Sequence, residues 1–169
     1  MKPKSWGIFP CMLRVLIMMV LWAWPIWAAE EKAENFQGYY ASLRYDEVNM
    51  RNGPGKRFMV EWTYHRRSLP VRVTAVHEQW RRIRDYEGTE GWVHQAMLSS
   101  QRTVLVMHRR QALRWKPHDD APVVAYVAPL VVGFLDECDV DWCRLSFDDT
   151  QGYMRQNQFW GADKAESLE

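Results

Sequence analysis

Between residues 41 and 161, apolar and polar positions alternate in short runs that turn residues cut apart. Val48 and Met50 alternate with Asn49 and Arg51, the period of two that a half-buried strand requires. In a longer run Val71, Val73 and Ala75 fall on one face, with Arg72, Thr74 and Val76 on the other. The pattern predicts strands over 41–43, 48–51, 60–64, 71–77, 80–85 and 90–94, then over 123–127, 131–136, 142–147 and 151–155. Glu78-Gln79 and Glu87-Gly88-Thr89 suit hairpin turns, and Ala96-Met97-Leu98 suits a single 3-10 turn. Short strands at such close spacing predict an all-β chain built as small barrels.

The body of the chain repeats itself. Met50-Arg51 aligns with Leu113-Arg114, Pro54 with Pro117 and Val60 with Val123, all at an offset of 63. Trp80-x-x-Ile83 aligns with Trp142-x-x-Leu145 at 62, and Gly91-Trp92-Val93 with Gly152-Tyr153-Met154 at 61. Single deletions in two loops account for the drift. The second copy is degenerate: Gln111-Ala112 stands for Val48-Asn49, and His118-Asp119 for Gly55-Lys56.

Gly53-Pro54-Gly55 ends the 48–51 strand, because proline fixes φ and offers no backbone donor. Asn52 and Gly53 tolerate positive φ and allow the chain to swing there. The block V-N-x-R-x-G-P-G, carried by Val48, Asn49, Arg51, Gly53 and Pro54, resembles the signature of the bacterial SH3-like domain. Trp80-x-x-Ile83 and Gly91-Trp92-Val93 stand where that family has a W-x-x-I and a G-W-V strand. The resemblance implies two tandem SH3-like barrels, the first over 41–108 and the degenerate second over 109–161, with a tail over 162–169. Trp92 is expected in the core. Trp80 lies three residues from Ile83, on the opposite strand face unless a bulge intervenes, and is expected partly exposed. Gly91 is expected to need unusual backbone angles.

The first 40 residues follow a different pattern. Lys2, Lys4 and Arg14 precede an uninterrupted apolar run from Val15 to Trp27, which is shorter than the roughly 20 residues needed to span a bilayer. Pro25 breaks the run near its end, and Ala28-Ala29 leads into Glu30-Glu31. Residues 1–28 therefore read as a signal peptide cut after Ala28, and 29–40 as a linker. The expected location is the periplasm or beyond; left uncleaved, the leader would anchor the chain in the inner membrane. Four of the ten tryptophans lie in this leader, so it inflates the hydrophobic content of 47%. The net charge of +1 conceals a division: residues 41–110 hold 13 Lys/Arg against 7 Asp/Glu, and residues 111–169 hold 5 against 11. Opposite charge would favour packing of the two barrels, screened over a Debye length of about 8 Å.

Cys138 and Cys143 flank Asp139-Val140-Asp141-Trp142 and would meet across a hairpin at a distance a disulfide can close. Export supplies the oxidising compartment. Their spacing is not that of a C-x-x-C redox pair, and no partnered histidines complete a zinc site. The histidines at 65, 77, 94, 108 and 118 show no H-x-x-x-H or H-x-H spacing. With both cysteines assigned and two barrels filling the mature chain, no catalytic residue, metal or cofactor is expected.

Binding is the chemistry the residues favour. Arg66, Arg67, Arg81 and Arg82 interleave with Tyr45, Tyr64 and Trp80 in the first copy. Guanidinium groups beside aromatic faces suit glycans, peptides and anionic polymers. Nucleic acid would use the same groups, but the export signal argues against it. The expected partner is a cell-wall component or an envelope protein. The resemblance implies a module for cell-wall peptide, glycan or an extended protein segment; the alternative is a scaffold that binds an envelope protein or regulates a separate wall enzyme.

Overall fold

The computed structural model describes residues 36–163. The expected leader and the linker up to residue 35 lie outside the described residues, as does the tail from residue 164.

Among the described residues, fourteen strands form two antiparallel sheets of seven. The first sheet holds β1 (Tyr39–Leu43), β2 (Val48–Arg51), β3 (Val60–Tyr64), β4 (Pro70–His77), β5 (Trp80–Arg84), β6 (Glu90–His94) and β7 (Leu98–Ser99). The second holds β8 (Thr103–Val106), β9 (Gln111–Arg114), β10 (Val123–Val127), β11 (Val132–Cys138), β12 (Trp142–Phe147), β13 (Thr150–Arg155) and β14 (Phe159–Trp160). The orders β3-β2-β6-β5-β4-β1-β7 and β10-β9-β13-β12-β11-β8-β14 correspond strand for strand. A 3-10 turn, Gln95–Met97 in one and Gln156–Gln158 in the other, precedes the last strand of each sheet. The chain is all-β, two tandem SH3-like units, as the repeat and the resemblance imply.

Each sheet curls around its own core. Val48, Met50, Val71, Val73, Ile83 and Val93 are fully buried in the first, and Val104, Val106, Leu113, Leu145 and Met154 in the second. The strand period explains the first set: the apolar members of β2, β4, β5 and β6 all turn inward. Gly91 belongs to this layer for reasons of space. A Cβ there would lie 2.6 Å from Met50 Cγ, and one on Gly152 would lie 2.7 Å from Leu113 Cγ. Neither glycine has positive φ, so the expected need for unusual angles at Gly91 is corrected to a need for room. The same holds at the signature turn: Asn52 and Gly53 both keep negative φ, and the Phe58 ring lies against Gly53 where a side chain would be.

Trp92 is not core. It sits between the buried Gly91 and Val93, so strand parity turns it outward, where it pairs with Arg51 and Arg82 and meets the His77 ring edge-on at 6.3 Å. A bulge in β4 between Val73 and Ala75 makes a second departure. It sets Ala75 opposite Arg82 on the outer face, while Val71 and Val73 stay inside as expected.

Two boundaries differ from expectation. β1 begins at Tyr39, inside the stretch assigned to the linker. The sheet changes between Ser99 and Thr103, because β8 pairs with β11 and β14 of the second unit. The change of sheet thus falls several residues before the expected domain junction at 108/109. Across this change Leu105 packs into the first core, with Met107 and Val132 against it. Tyr40 meets Trp160 edge-on at 5.1 Å, Thr103 donates to the Ser68 carbonyl at 2.8 Å, and Arg72 pairs with Asp163 at 2.6 Å. Cys138 and Cys143 are direct cross-strand partners on β11 and β12, joined by the expected disulfide.

Candidate functional site

The outer face of the first sheet carries a groove of about 470 Å³. Asn49 and Arg51 reach it as the polar positions of β2, whose alternate residues Val48 and Met50 fill the core. Trp80 reaches it from the start of β5 and His94 from the end of β6; the two are cross-strand partners. Lys56, from the turn after Gly53-Pro54-Gly55, and Glu47 supply the charged rim, and Ala96 and Met97 of the 3-10 turn close one end.

Three of these side chains are held by the fold. The Arg51 guanidinium donates to the carbonyls of Phe58 at 2.6 Å and Lys56 at 3.3 Å, clasping the loop between β2 and β3. Arg114 repeats the clasp on Ala121 at 2.7 Å. Asn49 Oδ1 accepts from the Thr63 hydroxyl at 2.8 Å, which turns its amide nitrogen outward as a donor. His94 Nδ1 accepts the Ala96 N–H at 3.2 Å, so the neutral ring carries its proton on Nε2. The His94 ring stands edge-on to Trp80, centroids 5.4 Å apart. The groove therefore offers an indole face, an imidazole N–H, an amide N–H and an ammonium group, opposed by one carboxylate. Such a set suits a carbonyl- or carboxylate-bearing extended ligand with an apolar portion.

Of the residues expected to bind, Tyr64 and Arg66 share a hollow of their own and the others are scattered. Trp80 alone lines this groove, half-buried as its parity with Ile83 required. Tyr64 is corrected to a core residue, 6% exposed. Its hydroxyl donates to Asp85 Oδ2 at 2.9 Å, and burial, with the carboxylate beside it, pushes the phenol far above its ordinary range. The other Asp85 oxygen accepts the N–H groups of Glu87 and Thr89, so this pair braces the β5–β6 turn. Arg66 donates to the Leu130 carbonyl of the second unit at 2.7 Å. Arg81 is tied to the carbonyls of Glu78 and Trp80 and to the Gln95 side chain, on the wall of a separate hollow beside Tyr39 and Tyr40. Arg82 pairs with Glu90 at 2.8 Å, and Arg84 shares that carboxylate. Tyr45 and Arg67 are exposed and do not line the groove.

Glu47 and His94 are the polar groove residues that sequence reasoning left out of the site, and Lys56 entered only as one of the basic residues of the first copy. Asn49 and Arg51 entered it only as fold signature. The signal that could have found them is parity: polar residues alternating with Val48 and Met50 must share the outer face with Trp80.

A family model described as bacterial SH3 domain matches residues 44–100 and again residues 108–161. Among solved structures the chain is similar to NlpC1 from Trichomonas vaginalis, at 11% identity and a TM-score of 0.35, over 79% of this chain and 50% of that one. It is similar to NlpC2 from the same organism at 11% identity and a TM-score of 0.35, over 76% of this chain and 51% of that one. The chain thus spans about half the length of each. No curated protein matches it. The two matched segments run from β2 to β7 and from β9 to β14, all but the first strand of each sheet, and this chain belongs to the bacterial SH3 domain family as a tandem member.

Proposed function

We propose that the chain is an exported, non-catalytic binding protein whose first barrel holds a cell-wall peptide or another extended, carboxylate-bearing envelope segment in the Trp80–His94 groove. Its family is one of binding modules, and the leader of residues 1–28 directs it to the periplasm. The observation that carries the reading is the donor-rich groove around Trp80: Lys56, His94 Nε2–H and the Asn49 amide face outward while the fold itself holds Arg51. Most arginines first expected to bind are engaged elsewhere, which moves the electrostatic weight to Lys56.

Co-sedimentation with purified sacculi tests this. The wild-type chain should sediment, less at physiological than at low salt, because exposed cationic contacts are screened. Trp80→Ala should lower binding about tenfold or more at both salts, and Lys56→Glu should remove most of the salt dependence. Equal sedimentation of Trp80→Ala and wild type would sink the groove as the site.

One observation favours the scaffolding alternative. The edge strands β3 and β10 carry exposed apolar residues, with Trp62 55% and Tyr126 63% exposed, and an unpaired edge can add a strand from a protein partner. Cross-linking in intact cells that captures an envelope protein, with no sacculus binding, would decide for it.

A further inference from the structure

The second barrel carries the same tryptophan in the same place, under different cover. Trp142 and Arg155 are cross-strand partners on β12 and β13, as Trp80 and His94 are on β5 and β6. The His94 ring stands perpendicular to the Trp80 ring, centroids 5.4 Å apart, and Trp80 lines the groove. Arg155 instead lays its guanidinium over the Trp142 ring, 4.7 Å from the centroid. A second substitution fixes it there. Asp119 stands in the repeat where Lys56 stands in the first barrel, and it takes Arg155 in a two-pronged pair, Nε to Oδ1 at 3.0 Å and the terminal nitrogen to Oδ2 at 2.5 Å. The carboxylate holds the guanidinium protonated, and the guanidinium in turn keeps the Asp119 carboxyl below its usual range. Ala112 in place of Asn49 removes a further donor. The hollow that does reach Trp142 is lined by Pro117, Glu137, Cys138, Asp139 and Tyr153, and by neither Arg155 nor Asp119.

We infer that Arg155, latched by Asp119, is the specificity-determining residue that shuts the second barrel's groove and confines recognition to the first. A planar cation on an indole face occupies the surface a ligand would need, and a fork-shaped pair with a carboxylate resists displacement more than a single contact does. The two copies then differ at three groove positions: Asn49, Lys56 and His94 line the open groove, while Asp119 and Arg155 form the latch and Ala112 offers no donor. This inference rests on the reading of the first groove given above.

The test uses four full chains and purified sacculi: wild type, W80A, R155H/D119K, and the triple variant W80A/R155H/D119K. Trp80→Ala should lower sacculus affinity about tenfold or more, as truncation of a central aromatic contact does. The triple variant, which gives the second barrel the residues of the first, should recover most of that loss, and R155H/D119K alone should raise the bound amount at saturation. Thermal melts accompany each variant; if the double substitution unfolds the second barrel, W80A/D119N, which frees the guanidinium without removing it, takes its place and should recover part of the loss. A folded triple variant as inert as W80A overturns the latch while leaving the first groove intact. A W80A chain that binds like wild type overturns the groove reading and the confinement together.

Discussion

Met50 and Gly91 belong to one packing problem, because a Cβ on residue 91 would meet the methionine side chain at 2.6 Å. Gly91→Ala should therefore cost about 1–3 kcal/mol, the usual range for overpacking, and Met50→Ala in the same chain should relieve part of that loss in a urea-unfolding double-mutant cycle. An additive cycle would show that the close approach is not the cause. Trp92 calls for a smaller effect than its size suggests. Its ring lies on the outer face, so Trp92→Ala should destabilise the chain less than Ile83→Ala, for which about 2–5 kcal/mol is expected. Residue size pointed inward for Trp92 while strand parity with Val93 pointed outward, and parity decides whenever both neighbours along the strand are buried. Tyr64 went wrong in the opposite direction, since a tyrosine among arginines reads as a contact residue until its buried partner, Asp85, is seen. That partner lies 21 residues away, a pairing no local pattern reveals. Asp119 carries a pH expectation of the same local kind. Its carboxyl is held below the usual range by hydrogen bonds from Arg155, so whatever the latch contributes is present above the ordinary aspartate range and is lost as pH falls through the lowered value. Carboxyl chemical shifts followed by NMR should place the Asp119 midpoint below the ordinary aspartate range; a midpoint within or above that range would mean that the latch does not form.

Among the elements, the β11–β12 hairpin is the one with a covalent tie. Cys138 and Cys143 replace the Val76 and Arg81 pair of the first barrel, directly opposite each other, and close a loop with a sequence separation of 5. Alkylation of the native protein should label neither cysteine before reduction, as read by intact mass. Replacing both by serine should cost about 2 kcal/mol from loop entropy; free thiols in the unreduced protein would put the hairpin out of register. This hairpin was legible because cysteine spacing and the repeat converge on it. β8 was not: Val104-Leu105-Val106 are all buried, so the strand shows no alternation to recognise, and the family signature that would have marked the second copy has decayed at Gln111-Ala112. Strands with one wet face announce themselves, while a strand enclosed on both sides needs its partners β11 and β14 to define it. The groove was legible only in part for a related cause. Trp80 stands out by type, but Lys56 and His94 come from a turn and a strand end, and only the β2–β6–β5 order brings them to one place.

For the molecule as a whole, the division of charge suggested that attraction would hold the barrels together, yet the junction is mainly apolar. Leu105 lies on β8 of the second sheet and buries its side chain in the first core, flanked by Met107 and Val132. Tyr40 and Trp160 add a ring contact, and Arg72 with Asp163 is a partly exposed ion pair worth little once screened. Barrels of this size have small cores, so sharing one layer of side chains should make them unfold together. Calorimetry of the chain is expected to give a single transition whose midpoint barely responds to salt. Leu105→Ala, which removes a buried leucine at a cost of about 2–5 kcal/mol, should lower that transition without splitting it, because the residue is paired in the second sheet while its side chain packs in the first core. A fragment ending at residue 108 would carry β8 away from its sheet, whereas a cut between Ser99 and Thr103 respects both; even so, each half should melt below the intact chain. Two separate transitions in the intact protein, with Leu105→Ala shifting only one, would show the barrels to be independent and the junction to be mere proximity.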